Sequence, residues 1–102
     1  MTDASDSAVR ARISVSGRVQ GVGYRAFTVG VATERGLVGG VRNCEDGRVE
    51  LEAEGPKHRI ISLIAALKVG PPASRVTDVR VEWVPATGRH GFFHLVLAAV
   101  LS

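Results

Sequence analysis

The chain is poor in everything that staples a small protein. Among its 102 residues there is one cysteine, Cys44, so no internal disulfide can form, and the three histidines, His58, His90 and His94, fall into no zinc-ligand spacing. The fold is expected to rest on apolar packing alone, with no metal and no cofactor. Aromatic residues make up only 5% of the chain. RNA bound across an open sheet stacks on aromatic side chains, and the candidate first and third strands, over residues 10–16 and 48–54, contain none. Nucleic-acid binding is therefore disfavoured. The longest apolar run, Leu95 to Leu101, has seven residues, against the roughly 20 that a membrane span needs. Acidic Asp3 and Asp6 stand where a secretory signal carries a basic patch. No membrane association and a cytoplasmic location are expected.

What is present is a globular composition, 45% apolar and 23% charged, in a length that suits one domain. We expect a flexible leader over 1–9, a single domain over 10–98 and a short tail over 99–102. The net charge is +3, and 11 of the 13 basic residues are arginine, whose planar fork suits carboxylate and phosphate. An anionic partner is mildly favoured. Glycine is also abundant, with 12 residues, above the roughly 7% average. Gly17, Gly21 and Gly23 fall within seven residues of one another.

Periodicity divides the chain into seven segments. Ala11, Ile13 and Val15 alternate with polar residues as a first strand. A helix follows over 24–35, with Tyr24, Phe27, Val31 and Ala32 as its apolar stripe and Gly36 as its stop. Residues 37–41 read as a second strand, Asp46-Gly47 as a hairpin turn, and Val49, Leu51 and Ala53 as the buried face of a third strand whose glutamates are wet. Pro56 opens a second helix with Ile60, Ile61, Ile64 and Leu67 inward, and Gly70-Pro71-Pro72 ends it. Val79, Val81 and Trp83 alternate as a further strand, and residues 92–97 alternate as a last strand that is rather apolar on both faces. The expected class is α+β: a ferredoxin-like βαββαβ sandwich with a four-stranded antiparallel sheet and two helices on one face.

The chemistry concentrates between the first strand and first helix. Glycines there let backbone N–H groups converge, and a helix N-terminus favours negative charge. The spacing fits neither a dinucleotide fingerprint nor a Walker loop. Arg25 sits in the first helical turn, where a cation opposes the helix dipole by a few tenths to about 1 kcal/mol unless an anion neutralises it.

Gly17-Arg18-Val19-Gln20-Gly21-Val22-Gly23-Tyr24-Arg25, followed by Gly36-Leu37, Gly40-Val41-Arg42-Asn43 and Asp46-Gly47-Arg48-Val49-Glu50, resembles the acylphosphatase family. The likeness runs from about Ile13 to Val84, with Phe92-Phe93 near an aromatic pair of the family. It implies that the backbone amides of Gln20, Gly21, Val22, Gly23 and Tyr24, with Arg25, bind a phosphate, and that Asn43 orients the attacking water. It also implies small acyl phosphates as substrates, with inorganic phosphate as product and inhibitor. Gly40 departs from the family's tryptophan, an absence expected to strip apolar cover from the second strand. Cys44 stands where threonine is frequent.

These residue types suit the reaction. The leaving group is a carboxylate that needs no general acid, and the loose phosphoryl transition state asks mainly for positioning and electrostatic stabilisation. N–H donors and one bidentate guanidinium can supply the latter. An amide cannot act as a strong base, so a substrate phosphate oxygen is expected to take the water's proton. Plainer readings stand beside this one: a surface arginine and a turn asparagine for Arg25 and Asn43, an inert Cys44, uninvolved histidines, and Arg18 and Arg42 as solvated charges. The rival function is a non-catalytic anion-binding or RNA-binding module of the same fold. A monomer is expected.

Overall fold

The structure, a computed structural model, describes residues 7–96. The positions 1–6 and 97–102, on which most of the expected leader, the end of the last strand and the tail fall, lie outside the described residues. The element order is β1 (Ala8–Arg18), α1 (Tyr24–Glu34), β2 (Val38–Asn43), β3 (Val49–Pro56), α2 (Lys57–Val69), β4 (Arg75–Val84) and β5 (Phe93–Leu95). They form one sheet in the order β4-β1-β3-β2-β5.

The sheet has five strands, not the expected four. The segment around Phe93 is an addition to β4, and it lies parallel to β2 with Gly39, Gly40 and Val41 opposite Phe93, His94 and Leu95. The physical reason is an otherwise open edge: Gly39 N–H donates to Phe92 O and Val96 N–H to Val41 O. Periodicity reports which way side chains point and is silent on which strand is the neighbour.

β1 pairs antiparallel with both β3 and β4, placing Ala11, Ile13 and Val15 opposite Ala53, Leu51 and Val49. All six are buried and form the floor under both helices. The helices turn slightly from their expected faces. α1 buries Tyr24, Thr28 and Ala32, with Phe27 and Val31 only half-buried. Thr28 tolerates this because its hydroxyl donates to Tyr24 O at 2.8 Å. α2 buries Ile60, Leu63 and Leu67, each worth about 1.5–3 kcal/mol of apolar burial, while Ile61 is exposed.

Two further departures follow from chain segments that cross the sheet. Glu54, expected to be wet, is 3% exposed, because the loop after β4 folds over it. Its Oε1 accepts from Arg10 Nη1, Thr87 N and Thr87 Oγ1 at 2.8–2.9 Å, and its Oε2 from Gly88 N at 2.8 Å. Gly40 is not uncovered: a Cβ there would come within 2.8 Å of Val96 Cγ2 and 3.3 Å of His94 Nε2. β5 thus supplies the cover that the missing tryptophan was expected to forfeit. Among the described residues no helix is long and apolar enough to cross a membrane.

Candidate active site

β1 and β2 both run antiparallel to β3 and therefore parallel to each other. The loop after β1, the N-terminus of α1 and the C-terminal end of β2 consequently meet at one end of the sheet. Arg25 and the glycine loop come from the first two elements, and Asn43, the last residue of β2, comes from the third.

The loop is held from below by Val19, which is 1% exposed, and then turns through Gly21 (φ 73°) and Gly23 (φ 80°). A Cβ would have open space at both positions, so the left-handed backbone, not crowding, calls for glycine there. Gly17 is different: it lies within β1 at a bulge, and a Cβ would fall 2.1 Å from Arg75 O. Its absence of a side chain serves the pairing of β1 with β4.

Gly23 is the N-cap of α1 and offers no side chain to the first-turn N–H groups, and no acidic residue stands in that turn. The positive end of the helix therefore has no internal anion. Arg25 adds a cation to it. Among the described residues the half-buried Arg25 makes no ion pair and no side-chain hydrogen bond. By contrast Arg42 is paired with Glu50 at 2.8 Å, and Arg48 with Asp46 at 2.7 Å and Glu50 at 3.1 Å. These hydrogen bonds hold Asp46 and Glu50 below the ordinary carboxylate range. The guanidiniums beside Asn43 are thus already engaged, whereas Arg25 is not.

Asn43 follows Arg42 on β2 and shares the face of buried Val41. Its Oδ1 is shut off from solvent and accepts no hydrogen bond among the described residues. A buried acceptor without a partner costs about 1–3 kcal/mol, and the chain carries that cost at the end of the sheet where the loop lies. Cys44 comes next in the chain, and burial, with Glu50 nearby, pushes its thiol up, away from the thiolate a nucleophile requires.

Sequence reasoning missed the side chain of Gln20. Its Nε2 donates to Cys44 O at 2.8 Å and to Arg48 O at 2.9 Å, joining the loop to the β2–β3 hairpin. Nothing in the local pattern distinguishes such a tether from a solvated glutamine. At the other end of the loop, Tyr24 Oη donates to Leu67 O at 2.7 Å, and burial raises its phenol.

The histidines are not drawn to this end of the sheet. His90 and His94 line a groove of about 680 Å³ on the face opposite the helices, with Arg12, Arg80, Glu52 and Phe92. Neither Asn43 nor any residue of the glycine loop lines it. This groove is separate from the glycine loop, Arg25 and Asn43.

The acylphosphatase family model matches residues 11–94. The acylphosphatase of Anaeromyxobacter dehalogenans is 48% identical over 87 residues, covering 85% of this chain and 94% of its own. The crystal structure of acylphosphatase from Bacillus subtilis superposes with a TM-score of 0.84 at 45% identity, covering 87% of this chain and 99% of that one. An acylphosphatase structure from Coxiella burnetii superposes at 0.82 with 34% identity, covering 87% and 93%.

Proposed function

The chain belongs to the acylphosphatase family, and from that premise we propose that its glycine loop, Arg25 and Asn43 together carry out the hydrolysis. The protein is an acylphosphatase, an enzyme that cleaves the carboxyl–phosphate bond of small acyl phosphates to carboxylate and inorganic phosphate. On this reading the amides of Gln20 to Tyr24 and the α1 dipole hold the phosphoryl oxygens, and the Arg25 guanidinium binds two of them as a fork. Both stabilise the charge spread over the equatorial oxygens of the loose transition state.

Asn43 receives the attacking water. The side-chain amide orients the water, one of whose protons stays with the attacking oxygen while a lone pair points at phosphorus, in line with the departing carboxylate. As the O–P bond forms and the anhydride P–O bond breaks, the other proton passes to a phosphoryl oxygen of the substrate. The carboxylate leaves as an anion and needs no proton. The observation that carries this reading is Arg25, a half-buried cation with no ion pair among the described residues, at a helix N-terminus with neither a capping side chain nor an acidic residue, on the end of the sheet where Asn43 closes β2. Product phosphate competes for the same amides. We further propose that the enzyme works as a monomer in the cytoplasm; the loop, Arg25 and Asn43 all belong to one chain, so the site asks for no residue of a second copy.

The test is hydrolysis of benzoyl phosphate in the presence of a chelator, with inorganic phosphate as competitive inhibitor. Asn43→Ala should lower kcat by about 10²–10³, the cost of one well-placed polar contact to a reacting group, with the Ki of phosphate nearly kept. Arg25→Ala should weaken both. Near-native turnover by Asn43→Ala would refute the water-positioning role. Absent turnover in the parent, with salt-sensitive RNA binding instead, would favour a binding module.

A further inference from the structure

β1 and β2 carry the two halves of the site, yet they are not neighbours, since β3 lies between them in the sheet. No ladder of backbone hydrogen bonds can therefore set the anion loop directly against Asn43. Gln20 spans that gap. Among the described residues it makes the only hydrogen bonds between residues 19–25 and the hairpin 43–48.

The acceptors it uses matter. Cys44 O and Arg48 O are the carbonyls at the neck of the hairpin: Cys44 N–H donates to Arg48 O at 2.9 Å and Gly47 N–H to Cys44 O at 3.2 Å. Both hydrogens of the Gln20 amide are spent on this neck. One of them fixes the carbonyl of the residue directly after Asn43. Gln20 is also the residue before Gly21, where the backbone enters its left-handed turn. A single side chain thus ties the start of the anion loop to the carbonyl one residue past Asn43.

We propose that Gln20 is a positioning residue whose side chain sets the distance between the bound phosphoryl group and the Asn43 amide, separately from any contact its own backbone makes with the anion. This rests on the assignment of Asn43 to the attacking water. Cutting the tether leaves the amides and Arg25 in place but lets the hairpin neck drift, and misplacement by about 1 Å can cost of the order of 10²-fold in rate.

The experiment is a double-mutant cycle on the full chain with benzoyl phosphate, using Gln20→Ala, Asn43→Ala and the pair. Gln20→Ala is expected to lower kcat between about tenfold and a hundredfold, with the Ki of inorganic phosphate changed less than about twofold. In the Asn43→Ala background it should add less than about twofold, because the group it positions is gone. Gln20→Met, which keeps length and apolar stem but cannot donate, should behave like Gln20→Ala and covers the case in which the alanine variant fails to fold. Gln20→Glu should recover kcat relative to the parent as pH falls, since the protonated carboxyl regains one donor.

A native kcat in Gln20→Met, an equal loss in both backgrounds, or a loss of phosphate affinity matching the loss of kcat would each overturn the proposal. These are separate from failure of the mechanism, which is read from Asn43→Ala alone.

Discussion

Replacing Glu54 by glutamine should produce a stability loss that disappears in acid. Burial by itself would raise this carboxyl, but hydrogen bonds from Thr87 N–H and Oγ1, from Arg10 and from Gly88 N–H outweigh it, and the group falls from the ordinary 4.5 to about 2. The unfolded chain therefore binds more protons than the folded one between those values. The stabilisation is fully present above about pH 4.5 and is lost as pH falls through about 2. A shift of that size is worth about 3 kcal/mol, equivalent to roughly 10–20 °C in Tm for a chain of this length. Glutamine keeps the shape but turns an NH2 toward donors from Thr87 or Gly88, and leaves Arg10 with Glu52 alone. Urea unfolding followed by far-UV circular dichroism should give a deficit of about 2–3 kcal/mol at pH 7, shrinking steadily towards pH 2. Glu54 pairs with Val38, at the end of β2 remote from Asn43, so kcat per folded molecule should be unchanged. A deficit that stays constant from pH 7 to pH 2 would refute the argument and assign the loss to packing.

Other expectations follow from single residues. Arg25→Lys keeps the charge but loses the fork, so its kcat/KM on benzoyl phosphate should fall nearly as far as in Arg25→Ala; retention within about threefold would count against bidentate binding. Gly17→Ala should cost about 2 kcal/mol or more in urea unfolding, because φ is 120° and the new Cβ would fall 2.1 Å from Arg75 O. Gly40→Trp, which restores the family residue, should destabilise by about 1–3 kcal/mol by overpacking, and His94→Gly in the same chain should recover part of the loss. A more stable Gly40→Trp single variant would show that β5 does not cover that position.

The alternation of Val49, Leu51 and Ala53 with glutamates made β3 legible, and Asp46-Gly47 located its hairpin. Arg25 and Asn43 were legible as candidates because two linked motifs place them. The rest depends on segments distant in sequence. Glu54 continues the wet alternation of Glu50 and Glu52, and only the loop carrying Thr87 and Gly88 buries it. Thr28 displaces Phe27 from the buried stripe of α1 because its hydroxyl has a backbone partner at hand. Gln20 and Gly17 read as loop residues until the neck of the hairpin and the backbone of β4 come into place. The position of β5 beside β2 is a matter of pairing, on which side-chain periodicity carries no information.

β4, ten residues long, lies at the margin of the sheet and has a single partner among the described residues. Its outer row of N–H and C=O groups is a template on which a second chain could add a strand. Arg75, Asp78, Arg80 and Glu82 punctuate that margin with charge, and Pro85 follows its end. A foreign strand would have to desolvate several ions in order to dock. The charge that guards the margin thus belongs to the same strand whose inner face closes the core, and neutralising it should leave the activity of each molecule intact while opening a route to fibrillar assembly.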